Sequence, residues 1–352
     1  MHSGALDTRT PHRHLPGGPG RRPGDGGLWR RRLVVAAVVV GILVAIRVFS
    51  PGEIDLADSL QDFITLSLSV VIESLPFVFL GLLLSVLVQV WVPQQLLIRI
   101  LPRTPFLRRA ALSMLGVLLP VCECGNVPLA RGLVMRGFTV PDAMTFLLAA
   151  PILNPVTIIT TYQAFGWADG ILFWRIVGGF VIANFIGWLF SRHARPHDLL
   201  TPRFQETCST HAAAGPRTTA RMARSIRLFA GETSAMLPAL FVGSAVAGFI
   251  QVAVSRDLLI GLGQNPVLSV LALMALAFVI SICSNVDAFF VLSLGSTFMP
   301  GAIIAFLVFG PMIDVKMLAL LRTTFTARTL VIVTAVVGLL TAVLGLAVNL
   351  AL

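Results

Sequence analysis

Pro120-Val121-Cys122-Glu123-Cys124-Gly125-Asn126-Val127-Pro128 interrupts an apolar segment that runs from about 110 to 136. No continuous helix accommodates this run, because each proline removes a backbone donor and crowds the preceding turn. A second polar break, Ser281 to Asp287, divides another apolar segment, about 266 to 298. The two are copies. Cys124-Gly125-Asn126-Val127 and Pro141 return as Cys283-Ser284-Asn285-Val286 and Pro300 at a shift of 159. Upstream, Leu75-Pro76, Phe79, Gly81, Gln89-Val90 and Leu96-Leu97 return as Leu237-Pro238, Phe241, Gly243, Gln251-Val252 and Leu258-Leu259 at a shift of 162. Duplication around interrupted hydrophobic segments marks a transporter with its binding site near the bilayer midplane.

The remainder of the chain agrees with a membrane setting. Of 352 residues, 56% are hydrophobic and 12% charged, and mean hydropathy is +0.90. Apolar runs long enough to cross a bilayer recur along most of it. The net charge of +10 does not signal nucleic acid: Lys316 is the single lysine, and the arginines gather in a few loops, where they set membrane orientation. Four cysteines, Cys122, Cys124, Cys208 and Cys283, do not form the disulfide framework of a small secreted protein.

Charge distribution predicts the topology. Residues 1–32, rich in Gly, Pro, Arg and His, read as a disordered cytoplasmic arm, and 33–49 as an uncleaved first transmembrane helix. Arg30-Arg31-Arg32 place the N-terminus inside. Glu53, Asp55, Asp58 and Asp62 suit the outside, and a span at about 63–91 returns to Arg99, Arg103, Arg108 and Arg109. The arginine-rich stretch 192–227 is also expected inside, as a flexible linker. Three full crossings between those two inner loops would violate the positive-inside rule, so segment 110–136 is read as a re-entrant hairpin, followed by spans at about 141–165 and 168–191. Non-helical backbone at that depth is tolerated where protein buries it or water reaches it.

The second copy repeats this plan: a span at 228–254, a hairpin at 266–298, and spans at 300–321 and 329–351. The expected fold is an all-α polytopic membrane protein. It has inverted-topology repeats, 63–191 and 228–352, each with three transmembrane helices plus one re-entrant helical hairpin, and an extra N-terminal helix.

The candidate binding residues lie at the breaks. Cys122 and Cys124 offer two thiols to one soft centre, and Cys283 occupies the position matching Cys124, so these three form a candidate site for a soft metal or metalloid. A buried cysteine also serves as a small apolar residue, which is the alternative for Cys283. Glu123, Asp287 and Asp314 are acids within apolar segments, where an ionisable group is costly and points to function. Asn126 and Asn285 correspond across the copies, as do Asn154 and Asp314, each three residues after Pro151 or Pro311. Those Pro-x-x-Asn and Pro-x-x-Asp breaks are expected to interrupt the span after each hairpin. Asp314 has a competing reading as the partner of Lys316 or Arg322. Arg131 and Arg136 either set topology or contact an anionic solute. Glu73 and Glu232 do not correspond across the copies, and Cys208 reads as an idle thiol.

Pro120 to Gly132, followed by Phe146-Leu147-Leu148-Ala149-Ala150-Pro151-Ile152-Leu153-Asn154-Pro155, closely resembles the bacterial predicted-permease family that includes the YraQ-type proteins and the methylarsenite efflux permeases. Cys283 to Asp287 and Gly310-Pro311-Met312-Ile313-Asp314-Val315-Lys316 resemble that family's second half. The resemblance covers about 63–350. It implies a multi-pass permease of the bacterial inner membrane and, for some members, export of trivalent organoarsenicals.

The expected function is therefore a secondary permease that exports a small thiophilic solute by alternating access around the two breaks. A soft-metal or small anionic solute permease is the alternative within transport. A membrane thiol redox or assembly factor is the alternative outside it. The sequence has no Gly-x-x-x-x-Gly-Lys, His-Glu-x-x-His or Gly-x-Ser-x-Gly motif, so no enzyme activity and no cofactor are expected. The expected partners are the lipid bilayer and the solute; no oligomeric state is assigned.

Overall fold

The computed structural model describes residues 56–92, 102, 104–118, 121–167, 170–213, 221–253, 265–295 and 297–351. The expected arm and the expected first helix lie outside the described residues, as does Pro120. Among the described residues the regular structure is helical, and one isolated antiparallel bridge joins Leu200 to Phe325.

In chain order the helices are α1 (Leu56–Val90), α2 (Pro105–Leu118), α3 (Glu123–Met135), α4 (Val140–Ala149), α5 (Pro155–Phe165) and α6 (Ile171–Ser191). A 3-10 turn (Pro196–Leu199) and α7 (Pro202–Ala213) follow. Then come α8 (Arg221–Ala253), α9 (Pro266–Ile280), α10 (Asp287–Leu292), α11 (Pro300–Met312), α12 (Val315–Leu321) and α13 (Ala327–Ala351). Among the described residues five stretches are long and apolar enough to cross a membrane: Ser59–Val90, Ile171–Ser191, Arg221–Ala253, Pro300–Leu321 and Ala327–Ala351. The protein is polytopic.

Long and broken helices play different parts. The long α1 and α8, each with an internal proline (Pro76, Pro238), pack along one another, and α1 also lies against α3 while α8 lies against α12. Of the broken segments α2–α3, α4–α5, α9–α10 and α11–α12, the helices α3, α4, α11 and α12 are the most deeply buried. Every residue of α4 and all of α11 beyond Pro300 are buried, although neither has a polar face to offer solvent. This is the pattern of a helix enclosed by other protein on all sides.

Close packing fixes the first break. Gly81 of α1 crosses Gly125 of α3 backbone to backbone, so that a Cβ on Gly81 would run into the Gly125 carbonyl. Small residues permit such approaches between membrane helices, where dispersion rather than the hydrophobic effect drives association.

Three boundaries depart from expectation. Helix α1 starts at Leu56, ahead of the expected 63, and α8 starts at Arg221, ahead of 228. Residues 192–213 are not a loose linker. Leu199, Leu200 and Phe204 are buried, and main-chain hydrogen bonds run from Thr201 N–H to Thr324 O (2.8 Å) and from Thr326 N–H to Leu199 O (3.0 Å). Apolar burial and backbone pairing together hold this stretch against the end of α12, which the polar composition of the region concealed.

Candidate functional site

Both breaks leave backbone groups without helical partners, and polar side chains take them up. Val121 O accepts from Asn154 Nδ2 at 3.1 Å and from Asn126 Nδ2 at 3.5 Å. Asn154 also caps α5, its Oδ1 accepting from Val156 N–H at 2.9 Å. At the second break, Ser281 takes a left-handed conformation (φ 53°), an uncommon one for a residue with a Cβ. Its carbonyl accepts from Lys316 Nζ at 3.2 Å, and the preceding Ile280 carbonyl accepts from Gln251 Nε2 at 3.0 Å. Asp314 caps α12 as Asn154 caps α5: its Oδ1 accepts from Met317 N–H. The expected interruptions after Pro151 and Pro311 are present, and both acid and amide hold half-helices in place.

The two breaks meet at Glu123. Its Oε2 accepts from Ser284 Oγ (3.0 Å) and Ser284 N–H (3.4 Å), with Cys283 Sγ at 3.9 Å, while Oε1 faces Lys316 Nζ at 3.3 Å. Glu123 and Lys316 are each 1% exposed. A pair this deep persists only where further hydrogen bonds complete both ions, and here serine and a strained carbonyl do so.

The Sγ atoms of Cys122 and Cys283 and a Glu123 oxygen all lie within 4.8 Å of one another. Cys124, the third expected thiol, is also buried and lies beside Cys122. Cys122 precedes α3 in extended conformation (φ −71°, ψ 174°), whereas Cys124 is already helical, and the two side chains still interact. The trio offers two soft donors and one hard one.

Asp287 is 2% exposed and bound by Arg175, which donates Nη1 to Oδ1 at 3.0 Å and Nη2 to Oδ2 at 2.5 Å, and Nη1 to Thr161 Oγ1 at 2.7 Å. Asn285 Oδ1 faces Thr157 Oγ1 at 3.5 Å. Asn126 Oδ1 and Asp314 Oδ2 are buried with no hydrogen-bond partner, so both retain acceptor capacity beside the breaks. Asp314 makes no ion pair with Lys316 or Arg322 among the described residues; Lys316 turns to Glu123 instead.

The sequence reading missed three participants. Arg175 sits within an apolar helix, where its cost alone was a usable signal. Glu232, discounted for lacking a counterpart, chelates Arg131: Nε to Oε2 at 2.6 Å and Nη2 to Oε1 at 3.1 Å. Arg131 also donates Nη1 to Thr324 Oγ1 (3.0 Å) and Thr323 O (3.2 Å), and stacks 4.1 Å over the Phe204 ring. It is 4% exposed, so it ties four helical elements together rather than marking a loop. Ser284, the third, had no sequence signal beyond its place in the motif. Arg136 donates Nη2 to Val88 O (2.8 Å) and Val92 O (2.7 Å).

Polytopic helices, broken at matching places and joined over buried charges and thiols, describe a membrane permease. The family model for a predicted permease matches residues 59–350, and the chain belongs to that family. It is 36% identical to YcgR of Bacillus subtilis over 74% of this chain and 88% of that protein. It is 30% identical to a Streptococcus mutans protein named as a candidate subunit of a two-component membrane permease complex, over 78% and 90% of the two chains. YraQ of Escherichia coli is 31% identical over a third of each chain. No solved structure matches with statistical significance.

Proposed function

We propose that this protein is a secondary permease of the bacterial inner membrane, N-terminus inside, that exports a small thiophilic solute such as a trivalent organoarsenical. The observation that carries this reading is the Cys122–Glu123–Cys283 trio, contributed by both breaks and buried where they meet. A trivalent metalloid with two exchangeable positions takes two thiolates, and thiol exchange gives a route for release. Cys122 and Cys283 are the thiols that bind it; Cys124, Asn126, Asn154, Asn285, Asp287 and Asp314 shape the path.

The order of elements supports an inverted repeat: α1 to α6 and α8 to α13 follow one plan, with three spans and one broken hairpin in each half. An odd number of spans per half turns the second copy upside down, and the hairpins α2–α3 and α9–α10 then enter from opposite faces. The two halves rock about the shared site to expose it alternately.

A soft-metal cation is the second reading, favoured by Glu123 as the third donor. The redox or assembly reading rests on a Cys122–Cys124 pair, but a disulfide across Cys-x-Cys is strained and an inverted repeat is unnecessary for that task.

The test is growth of a deletion strain, carrying this protein or a vector, across methylarsenite, arsenite, copper, zinc, cadmium and arsenate. Protection against methylarsenite alone is the expected result. Protection against a cation favours the metal reading, and protection against arsenate alone rules out a thiol-liganded solute.

A further inference from the structure

Besides Glu123–Lys316, two further buried ion pairs among the described residues join the first half of the chain to the second. Arg131 of α3 holds Glu232 of α8; Arg175 of α6 holds Asp287 of α10. All four residues are at most 4% exposed.

Their separation follows from the helices that carry them. Arg131 packs on Phe204 of α7 and on the Thr323–Thr324 turn, where the 192–213 stretch is pinned. That stretch begins at the C-terminal end of α6. Arg175 lies sixteen residues before Ser191 on α6, about 24 Å away at 1.5 Å per residue. Between the two levels lies the trio. Glu123 is eight residues from Arg131 along α3, about 12 Å, and Cys283 is four residues before Asp287.

We infer that Arg131–Glu232 and Arg175–Asp287 are the two latches of the transport cycle, one closing the face that bears the 192–213 stretch, the other closing the opposite face. The inference rests on the permease reading but not on the identity of the solute. Both latches are shut here, which makes this an occluded state. Each pairs a residue from one half with a residue from the other, so relative movement of the halves must break one of them. Each is also completed by hydroxyls: Thr324 beside Arg131, Thr161 beside Arg175. A guanidinium that loses its carboxylate keeps those partners, which lowers the penalty of opening. A bidentate arginine pair specifies one closed geometry, which suits a device with discrete states.

The test uses full-length protein in nanodiscs, in a background with Cys122, Cys124, Cys208 and Cys283 replaced by serine. One reporter is Met236→Cys, one turn from Glu232; the other is Thr157→Cys, one turn from Thr161. Both native side chains are fully buried, so maleimide labelling reports opening. Glu232→Gln is expected to raise the labelling rate at the Met236→Cys reporter roughly tenfold while that at Thr157→Cys stays flat or falls. Asp287→Asn is expected to do the reverse. If either variant is not monodisperse, Arg131→Lys and Arg175→Lys replace them, keeping charge while losing the bidentate fork. Equal increases at both reporters, or none in folded protein, overturn the latch assignment. Reciprocal labelling in the cysteine-free background, with no protection against any thiophilic solute by the protein that keeps its native cysteines, leaves the latches standing and removes the substrate reading.

Discussion

Glu123 accepts from both the hydroxyl and the main-chain N–H of Ser284, at 3.0 and 3.4 Å. One carboxylate from the first break therefore caps the second, across 161 residues of sequence. The same residue faces Lys316 and lies against both thiols. A solute that enters the trio must share Glu123 with these donors, so the site and the join between the halves are one set of atoms.

The thiols separate by role. Cys122→Ser and Cys283→Ser are expected each to reduce protection against a thiophilic toxicant at least the roughly tenfold that losing an outer partner of a ligand costs. Serine keeps the size but offers no soft thiolate. Cys124→Ser is expected to lose less, and Cys208→Ser nothing, in growth assays at matched expression. Equal losses for Cys122→Ser and Cys208→Ser contradict the assignment.

Removing Lys316 leaves Glu123 buried without its cation. Lys316→Met is expected to destabilise the protein by about 3–5 kcal/mol, read by denaturation in detergent. Glu123→Gln combined with Lys316→Met is expected to recover much of that loss, because no uncompensated ion remains. Additive losses in the double variant count against a coupled pair.

Gly81→Ala tests the contact that fixes the first break. The added Cβ meets backbone rather than a pliable side chain, and overpacking of that kind costs about 1–3 kcal/mol. Thermal unfolding of purified protein should show the drop, with a smaller effect for Gly231→Ala, whose Cβ meets nothing within 4 Å.

The Cys208 thiol on α7 is pushed above its ordinary value by burial; Arg131 opposes the shift and Glu232 adds to it. Its alkylation is expected to be slow at neutral pH and to go on rising beyond the pH at which a free thiol levels off, since only the thiolate reacts. A rate already maximal near pH 8, followed by peptide mapping, contradicts this.

The hairpin reading predicts that cysteines at Phe106 and Phe138 label from one face, the cytoplasmic one. Labelling from opposite faces makes α2–α3 a full crossing and removes the inversion.

Composition and the position of the breaks were legible in the residues themselves. Membrane insertion depends on apolar length, which is local, and Pro120, Gly125-Asn126 and Pro128 announce the first interruption regardless of what surrounds them, the second being found as its copy. The half-helices after Pro151 and Pro311 followed from the same local rule, whereas the capping by Asn154 and Asp314 appeared only in the structure. The partner of each buried charge is another matter. Arg131 with Glu232 spans 101 residues, Arg175 with Asp287 spans 112, and Glu123 with Lys316 spans 193; no spacing rule reaches so far. Repeat correspondence even pointed away from Glu232, because an ion pair between two halves needs no copy of itself. Local chemistry determined which segments break; only the packing of the two halves decided which charges and thiols those breaks bring together, since such pairs are stable only once burial and neighbouring hydrogen bonds fix both members.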